Sequence, residues 1–263
     1  MYAAIASPPV QTTLAPRPEA VAPARRPVTR REELEKIGET IVLFGIYAVI
    51  ARGDIVFHVE GHRLDVGLDR ELPFSPAWVY VYVTFYLFAF SPLLYTRRAP
   101  WFRRIFLAMG GTMVVTYATF LVFPTREVLR PSLDGATGFT MWFLRTVYGA
   151  DGGYNCFPSM HVGLSHLAAW TLRDVDRKVA PWAWALAILI SVSTLLLKEH
   201  YLADVVAGAL LAFAAHRLAL GRFARRHPAE ADDHRGRWVL AGLIGLQALG
   251  VLGVLVAYRT TVK

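Results

Sequence analysis

Seven apolar stretches, separated by polar or charged segments, set the pattern of this chain. They lie at about 39–58, 78–95, 105–123, 159–172, 180–197, 201–219 and 238–258. About 20 apolar helical residues cross the hydrocarbon layer of a bilayer. The pattern therefore predicts an all-α, polytopic membrane helical bundle of about six to seven spans. Arg52 and Asp54 interrupt the first stretch, and the fourth is short. The second carries an aromatic patch from Trp78 to Phe90, for which packing is the expected role. Gly110 and Gly111 in the third are expected to permit close helix contact. Ahead of these stretches, residues 1–38 read as a basic cytoplasmic tail, disordered to about Pro27 and then a short charged helix through Arg31, Glu33 and Lys36. Pro8, Pro9, Pro16 and Pro18 break up the apolar run a secretory signal needs. Residues 39–263 are then one membrane-embedded domain.

Composition fits this reading. The 263 residues are 55% hydrophobic and 18% charged, less charge than the surface of a soluble domain carries. The net charge of +8 is distributed by loop. With the amino terminus inside, the tail and segments 97–104, 173–178 and 217–237 hold more than twice as many Lys and Arg as the segments on the other side. The positive-inside rule then places the amino terminus in the cytoplasm and the carboxyl terminus outside. The expected location is a bacterial inner membrane. Basic residues spread over several loops form no single reading surface, so no nucleic-acid partner is expected. The lone Cys156 excludes an internal disulfide and a cysteine-based zinc site, and its thiol is expected to be neutral.

The candidate chemistry gathers on the outer side. His200 and Asp204 stand four apart and share a helix face. A carboxylate that takes the proton of one imidazole nitrogen leaves the other as an attacking lone pair. Ser159 and His161 open the fourth stretch behind Pro158, where open backbone N–H groups favour a bound phosphate. Arg126 and Arg130 offer planar forks to phosphate oxygens, and Lys198 a point charge. Clustered cations suit the charge that spreads over a phosphoryl group in transfer. Glu199 is expected to be solvated and His166 to be packed. His58 and His62 are placed at the interface without chemistry. Asp151 and Asn155 are candidates for an acceptor hydroxyl.

Two segments carry a resemblance. Pro158-Ser159-Met160-His161 resembles the Pro-Ser-Gly-His motif of the type 2 phosphatidic acid phosphatase and vanadium haloperoxidase superfamily. Ser193-Thr194, five residues, His200, three residues, Asp204 resembles its Ser-Arg, five residues, His, three residues, Asp motif. The resemblance covers roughly 105–220. It implies a nucleophilic His200 oriented by Asp204, a leaving-group acid in His161, phosphate binding by Ser159, and no metal or other cofactor. Met160 replaces the usual glycine and Thr194 the usual arginine. Only Arg130-Pro131 remains of the first motif, since position 123 is Phe. Phe157-Pro158-Ser159-Met160-His161 and His200-Tyr201 followed by Asp204-Val205 look like the branch of inositol phosphorylceramide synthases and related lipid phosphotransferases. Lys198 is the expected substitute for the charge lost at Thr194, and Arg126 for that lost at position 123. The expected function is hydrolysis of a phosphate ester or pyrophosphate of a membrane lipid through a phospho-histidine. The alternatives are transfer of a phospho-head group to a lipid or sugar hydroxyl, and a non-enzymatic lipid carrier.

Overall fold

The computed structural model describes residues 27–50, 61–96, 98–151, 153–227 and 233–261. These form α1 (Arg30–Ile50), α2 (Gly67–Glu71), a 3-10 turn (Pro76–Trp78), α3 (Val79–Tyr82), α4 (Phe85–Phe88), α5 (Ser91–Tyr95) and α6 (Ala99–Val122). After these come α7 (Phe139–Ala150), α8 (Met160–Val175), α9 (Ala180–Leu196), α10 (Leu202–Ala215), a π-helical turn (His216–Gly221), α11 (Arg222–Arg226) and α12 (Asp233–Thr261). Among the described residues there are isolated bridges but no strands. Pro100 and Pro181 stand in the first turns of α6 and α9, where the missing backbone N–H costs nothing. Three helices, Ala99–Val122, Leu202–Arg226 and Gly242–Thr260, are long and apolar enough to cross a membrane.

The core is built around α8. Its neighbours are α9 and α10, with α6 also against it. Met160, Leu164, Leu167, Ala168 and Leu172 of α8 are buried with Met109 and Met113 of α6, Ile190 of α9 and Ala212 of α10. Outward faces stay apolar: Leu107 and Val114 of α6, Ile188 of α9, and Val206 and Leu210 of α10 are exposed. Apolar surface on this scale is unusual for a soluble monomer and suits a lipid environment.

At one point α10 and α8 touch through backbone. A β-carbon on Gly208 would lie 2.5 Å from the Ser159 carbonyl oxygen and 3.2 Å from the Gly163 nitrogen. No side chain fits there, and this contact fixes where the start of α8 meets the first turns of α10.

The structure departs from the hydropathy pattern in four places. The charged segment and the first apolar stretch are one helix, α1; Arg52, Asp54 and His58 lie outside the described residues. The second stretch is divided into short helices rather than one span. Thr84 and Ser91 donate their hydroxyls to the carbonyls of Val81 and Phe88, at 2.6 and 2.7 Å, and Pro92 stands in the first turn of α5. Each device competes with a continuous backbone ladder. Gly110 and Gly111 face open space, so the close helix contact belongs to Gly208. Segment 124–158, expected to be mostly loop, contains a helix, α7, which buries Phe143 and Leu144 against Val79, Tyr82 and Leu197.

The two ends of the bundle differ. One end holds the start of α1 and α6, the turn between α8 and α9, and the end of α10. Arg103 pairs with Glu32 there at 2.5 Å, and Arg104 donates to the Ala219 carbonyl at 3.1 Å. The other end holds the start of α8, the α9–α10 turn and α7. Gly208→Ala is expected to lower stability by about 1–3 kcal/mol, the usual cost of an overpacked contact. Gly111→Ala, in open space, is expected to be neutral or stabilising by up to about 1 kcal/mol. Thermal unfolding of the two variants in detergent checks the contrast.

Candidate active site

The α9–α10 turn is built by backbone first. Glu199 N–H donates to the Thr194 carbonyl at 2.9 Å, and Lys198 N–H to the Leu195 carbonyl at 3.1 Å. This is the Schellman closure of a helix, with its left-handed residue at Lys198, φ 57°. Glycine is the usual occupant of such a position. Here the lysine ammonium has a use: it donates to the carbonyls of Asp69 and Leu72 at 2.7 and 2.8 Å. Asp69 returns the tie, because its carboxylate accepts from Leu202 N–H, at the open start of α10, at 2.8 Å. Segment 66–72 thus clasps the turn from both sides.

The turn delivers His200 into the interior. His200 Nδ1 lies 3.3 Å from Asp204 Oδ2, which also accepts from Tyr201 N–H at 2.9 Å. On the other side His200 Nε2 lies 3.3 Å from His161 Nδ1. Ser159 caps α8 by accepting from Val162 N–H at 3.3 Å, and its own N–H donates to the Asp204 carbonyl at 3.0 Å. A carboxylate, two imidazoles and a helix start therefore form one continuous chain. Such a chain can hold one ring nitrogen as a lone pair and place a proton on the neighbouring ring. His161 is enclosed by Tyr82, Phe85 and Tyr86, with ring centroids 4.6, 4.4 and 6.4 Å away. The aromatic patch of the second apolar stretch is thus a wall of the site. Its spacing gave no sign of this, because aromatic residues pack equally well against lipid.

Tyr201 fastens the basic loop beside the histidines. Its hydroxyl donates to the Arg126 carbonyl and accepts from Val128 N–H, both at 3.0 Å. The Arg130 guanidinium pairs with Glu199, donates to the Asp151 carbonyl at 2.8 Å and lies 4.6 Å over the Tyr148 ring. Arg126 is exposed, with its guanidinium 5.4 Å over the Tyr154 ring. So Arg130 faces the buried side of the loop, Arg126 stands at the rim, and Lys198 is committed to α2 rather than to the histidines. The expectation that Glu199 is solvated is corrected: it is buried, because the Schellman turn directs it inward onto Arg130. Asp151 and Asn155 are both bonded to the Tyr47 hydroxyl, at 3.1 and 2.7 Å.

Burial sets the charge states here. It raises both Glu199 and Glu127 to about 7, against the pull of Arg130. For His200, burial opposes the charged ring, but the hydrogen bond and charge of Asp204, with Glu199 and Asp151 beyond, outweigh it and raise the pKa. Burial pushes the Cys156 thiol up. Glu127 was not legible as part of the site. A lone glutamate in a polar loop carries no pattern, and only the fold places one of its oxygens in the interior without a partner among the described residues.

Facing histidines, a carboxylate and an arginine thus gather at one end of the helical bundle. A family model described as PAP2 superfamily matches residues 68–218. The match covers more than half of the chain, and the protein belongs to that superfamily, whose members are generally phosphatases acting on phosphate esters. It begins well before residue 105 and takes in most of α2, whose Asp69, with Leu72 just beyond the helix, holds Lys198. No curated protein matches the chain.

The raised carboxyls carry a sign for stability. A group whose pKa is higher folded than unfolded holds its proton more tightly in the native state. Its contribution is complete below the ordinary carboxylate range, near 4.5, and is lost as pH rises through about 7. His200, also raised, acts in the same direction. The melting temperature is therefore expected to fall between pH 4.5 and 7.5, and Glu127→Gln to reduce the fall. Melting curves across that range check both.

Proposed function

We propose that the protein is an integral membrane phosphatase that hydrolyses a phosphate ester or pyrophosphate of a membrane lipid through a phospho-histidine. The observation that carries this reading is the chain Asp204–His200–His161, linked at 3.3 and 3.3 Å. His200 Nε2 attacks phosphorus while Asp204 holds the Nδ1 proton. The bond from phosphorus to the lipid oxygen breaks, and His161 gives that oxygen a proton. In the second step His161 takes a proton from water, the oxygen attacks phosphorus, and the bond to His200 breaks. The phosphoryl group enters between the two facing nitrogens, so binding parts the rings. Ser159, with the open N–H groups at the start of α8, and Arg130 receive the phosphate oxygens. Arg126 at the rim meets the incoming head group, and Lys198 acts as the tether of the turn.

The bundle spans the membrane six or seven times in this reading, with the amino terminus in the cytoplasm and the site facing the periplasm of a bacterial inner membrane. Its support is the separation of the ends: basic segments gather at one, His161 and His200 at the other. The motif departures at Met160 and Thr194 favour a second reading, in which a lipid or sugar hydroxyl replaces water in step two and the product is a phosphotransfer product.

Phosphate release from a panel of lipid phosphates in detergent, with and without inositol or a lipid alcohol, tests the proposal. Release that falls at least about a thousandfold in His200→Ala supports hydrolysis. An acceptor-dependent phospho-product in place of free phosphate moves the assignment to transfer. Release that persists in His200→Ala overturns the mechanism. His161→Ala is expected to lose about 100-fold or more on an alkyl ester, the usual worth of a general acid, and much less on p-nitrophenyl phosphate, whose leaving group needs no proton.

A further inference from the structure

At the end opposite the histidines, an open cleft of about 1290 Å³ lies between the α8–α9 turn and the last turns of α10 and α11. Nothing in the phosphoryl chemistry uses it. Five cations line it: Arg173, Arg177, Lys178, Arg217 and Arg225. Two carboxylates also face it, and both are engaged. Asp174 accepts from His216 Nε2 at 2.7 Å and pairs with Arg173 at 3.1 Å. Asp176 accepts from the Tyr95 hydroxyl at 2.5 Å and from Lys178 N–H at 2.9 Å. The cleft therefore keeps a surplus of positive charge.

Its wall is aromatic. Trp170 stacks on His216, with centroids 5.2 Å apart, and meets Trp184 edge-on at 5.0 Å. Arg173 lies 4.3 Å over Trp170, and Arg217 lies 5.3 Å over Phe213. Tryptophan beside arginine at the end of apolar helices is the composition of a membrane–water interface. His216 stands inside the same wall. His216 is 3% exposed, yet its Nδ1 has no hydrogen-bond partner among the described residues. That nitrogen is itself closed to solvent, and the ring serves the wall by holding Asp174 and stacking on Trp170. A π-helical turn begins at His216 and passes along the cleft. Gly221, at the end of this turn, also lines the cleft. Wide turns of this kind recur at functional sites.

We propose that this cleft binds the phosphodiester head group of an anionic phospholipid from the leaflet at that end. Cations reach the phosphate oxygens, and Trp170 and Trp184 sit at head-group depth. Basic pockets between spanning helices are suited to such head groups. The inference rests on the membrane reading of the fold and is independent of the chemistry at the other end.

Native mass spectrometry of the full chain in detergent tests it, with phosphatidylglycerol and phosphatidylcholine as probes. Phosphatidylglycerol adducts are expected to survive gas-phase activation that strips phosphatidylcholine. The double variant Arg217→Gln/Arg225→Gln is expected to weaken phosphatidylglycerol binding on the order of tenfold or more. Arg31→Gln/Arg226→Gln, on the same end but outside the cleft, is expected to bind as the parent does. Unchanged melting in phosphatidylcholine and unchanged phosphate release show that the cleft variant is folded. Equal binding of the two lipids, or equal loss in both double variants, overturns the site. Displacement of the lipid by inorganic phosphate at matched concentration overturns the lipid assignment in favour of a free-anion site.

Discussion

Ser159 N–H donates to the Asp204 carbonyl at 3.0 Å, directly above the point where Gly208 lets α10 approach the same turn of α8. The site depends on this contact. Ser159 is the cap of α8, and His161 stands two residues further on. Asp204 belongs to the first turn of α10, and His200 stands four residues earlier. One backbone hydrogen bond across a glycine gap therefore sets the distance between two catalytic candidates that are 39 residues apart in the chain. A contact made by backbone is insensitive to side-chain rotation, which suits a geometry that has to be held within about half an ångström.

Around that contact the end that carries His161 and His200 is a set of tethers. Lys198 and Asp69 tie the α9–α10 turn to α2, Tyr201 ties α10 to the basic loop, and α7 covers the turn with Tyr148 donating to the Leu197 carbonyl. The Lys198, Asp69 and Tyr148 ties satisfy backbone atoms that helix ends leave open, and Tyr201 does the same for the backbone of the loop. The same groups bring Arg130, Glu199 and Glu127 into a buried cluster, where a pKa near 7 for the two carboxyls follows from their surroundings. Charge regulation and fold are thus linked at one end of the bundle.

How much of this was legible in the sequence varies with the kind of signal. The helical class and the apolar stretches follow from hydropathy, which is additive along the chain. The pairing of Ser159 and His161 with His200 and Asp204 follows from two spaced motifs. What the pattern hid depends on contacts across the fold. The break of the second stretch comes from hydroxyls of Thr84 and Ser91 that bond locally. The amphipathic face of α7 was masked by the glycines and polar residues around it. Gly208 and Gly110 look alike in sequence, and only the packing tells which one lies against backbone. Lys198 read as a phosphate ligand because its charge was visible and its left-handed backbone was not.

The central claim is that His200 carries the phosphoryl group. The most direct measurement is to quench turnover of a lipid phosphate under alkaline conditions, which preserve phospho-histidine, and to locate the modified residue by peptide mass spectrometry. Phosphorylation at His200, absent in Asp204→Ala and accumulating in His161→Ala with a good leaving group, is the result predicted. Phosphorylation at another residue, or turnover that proceeds unchanged when His200 is replaced, would contradict the account.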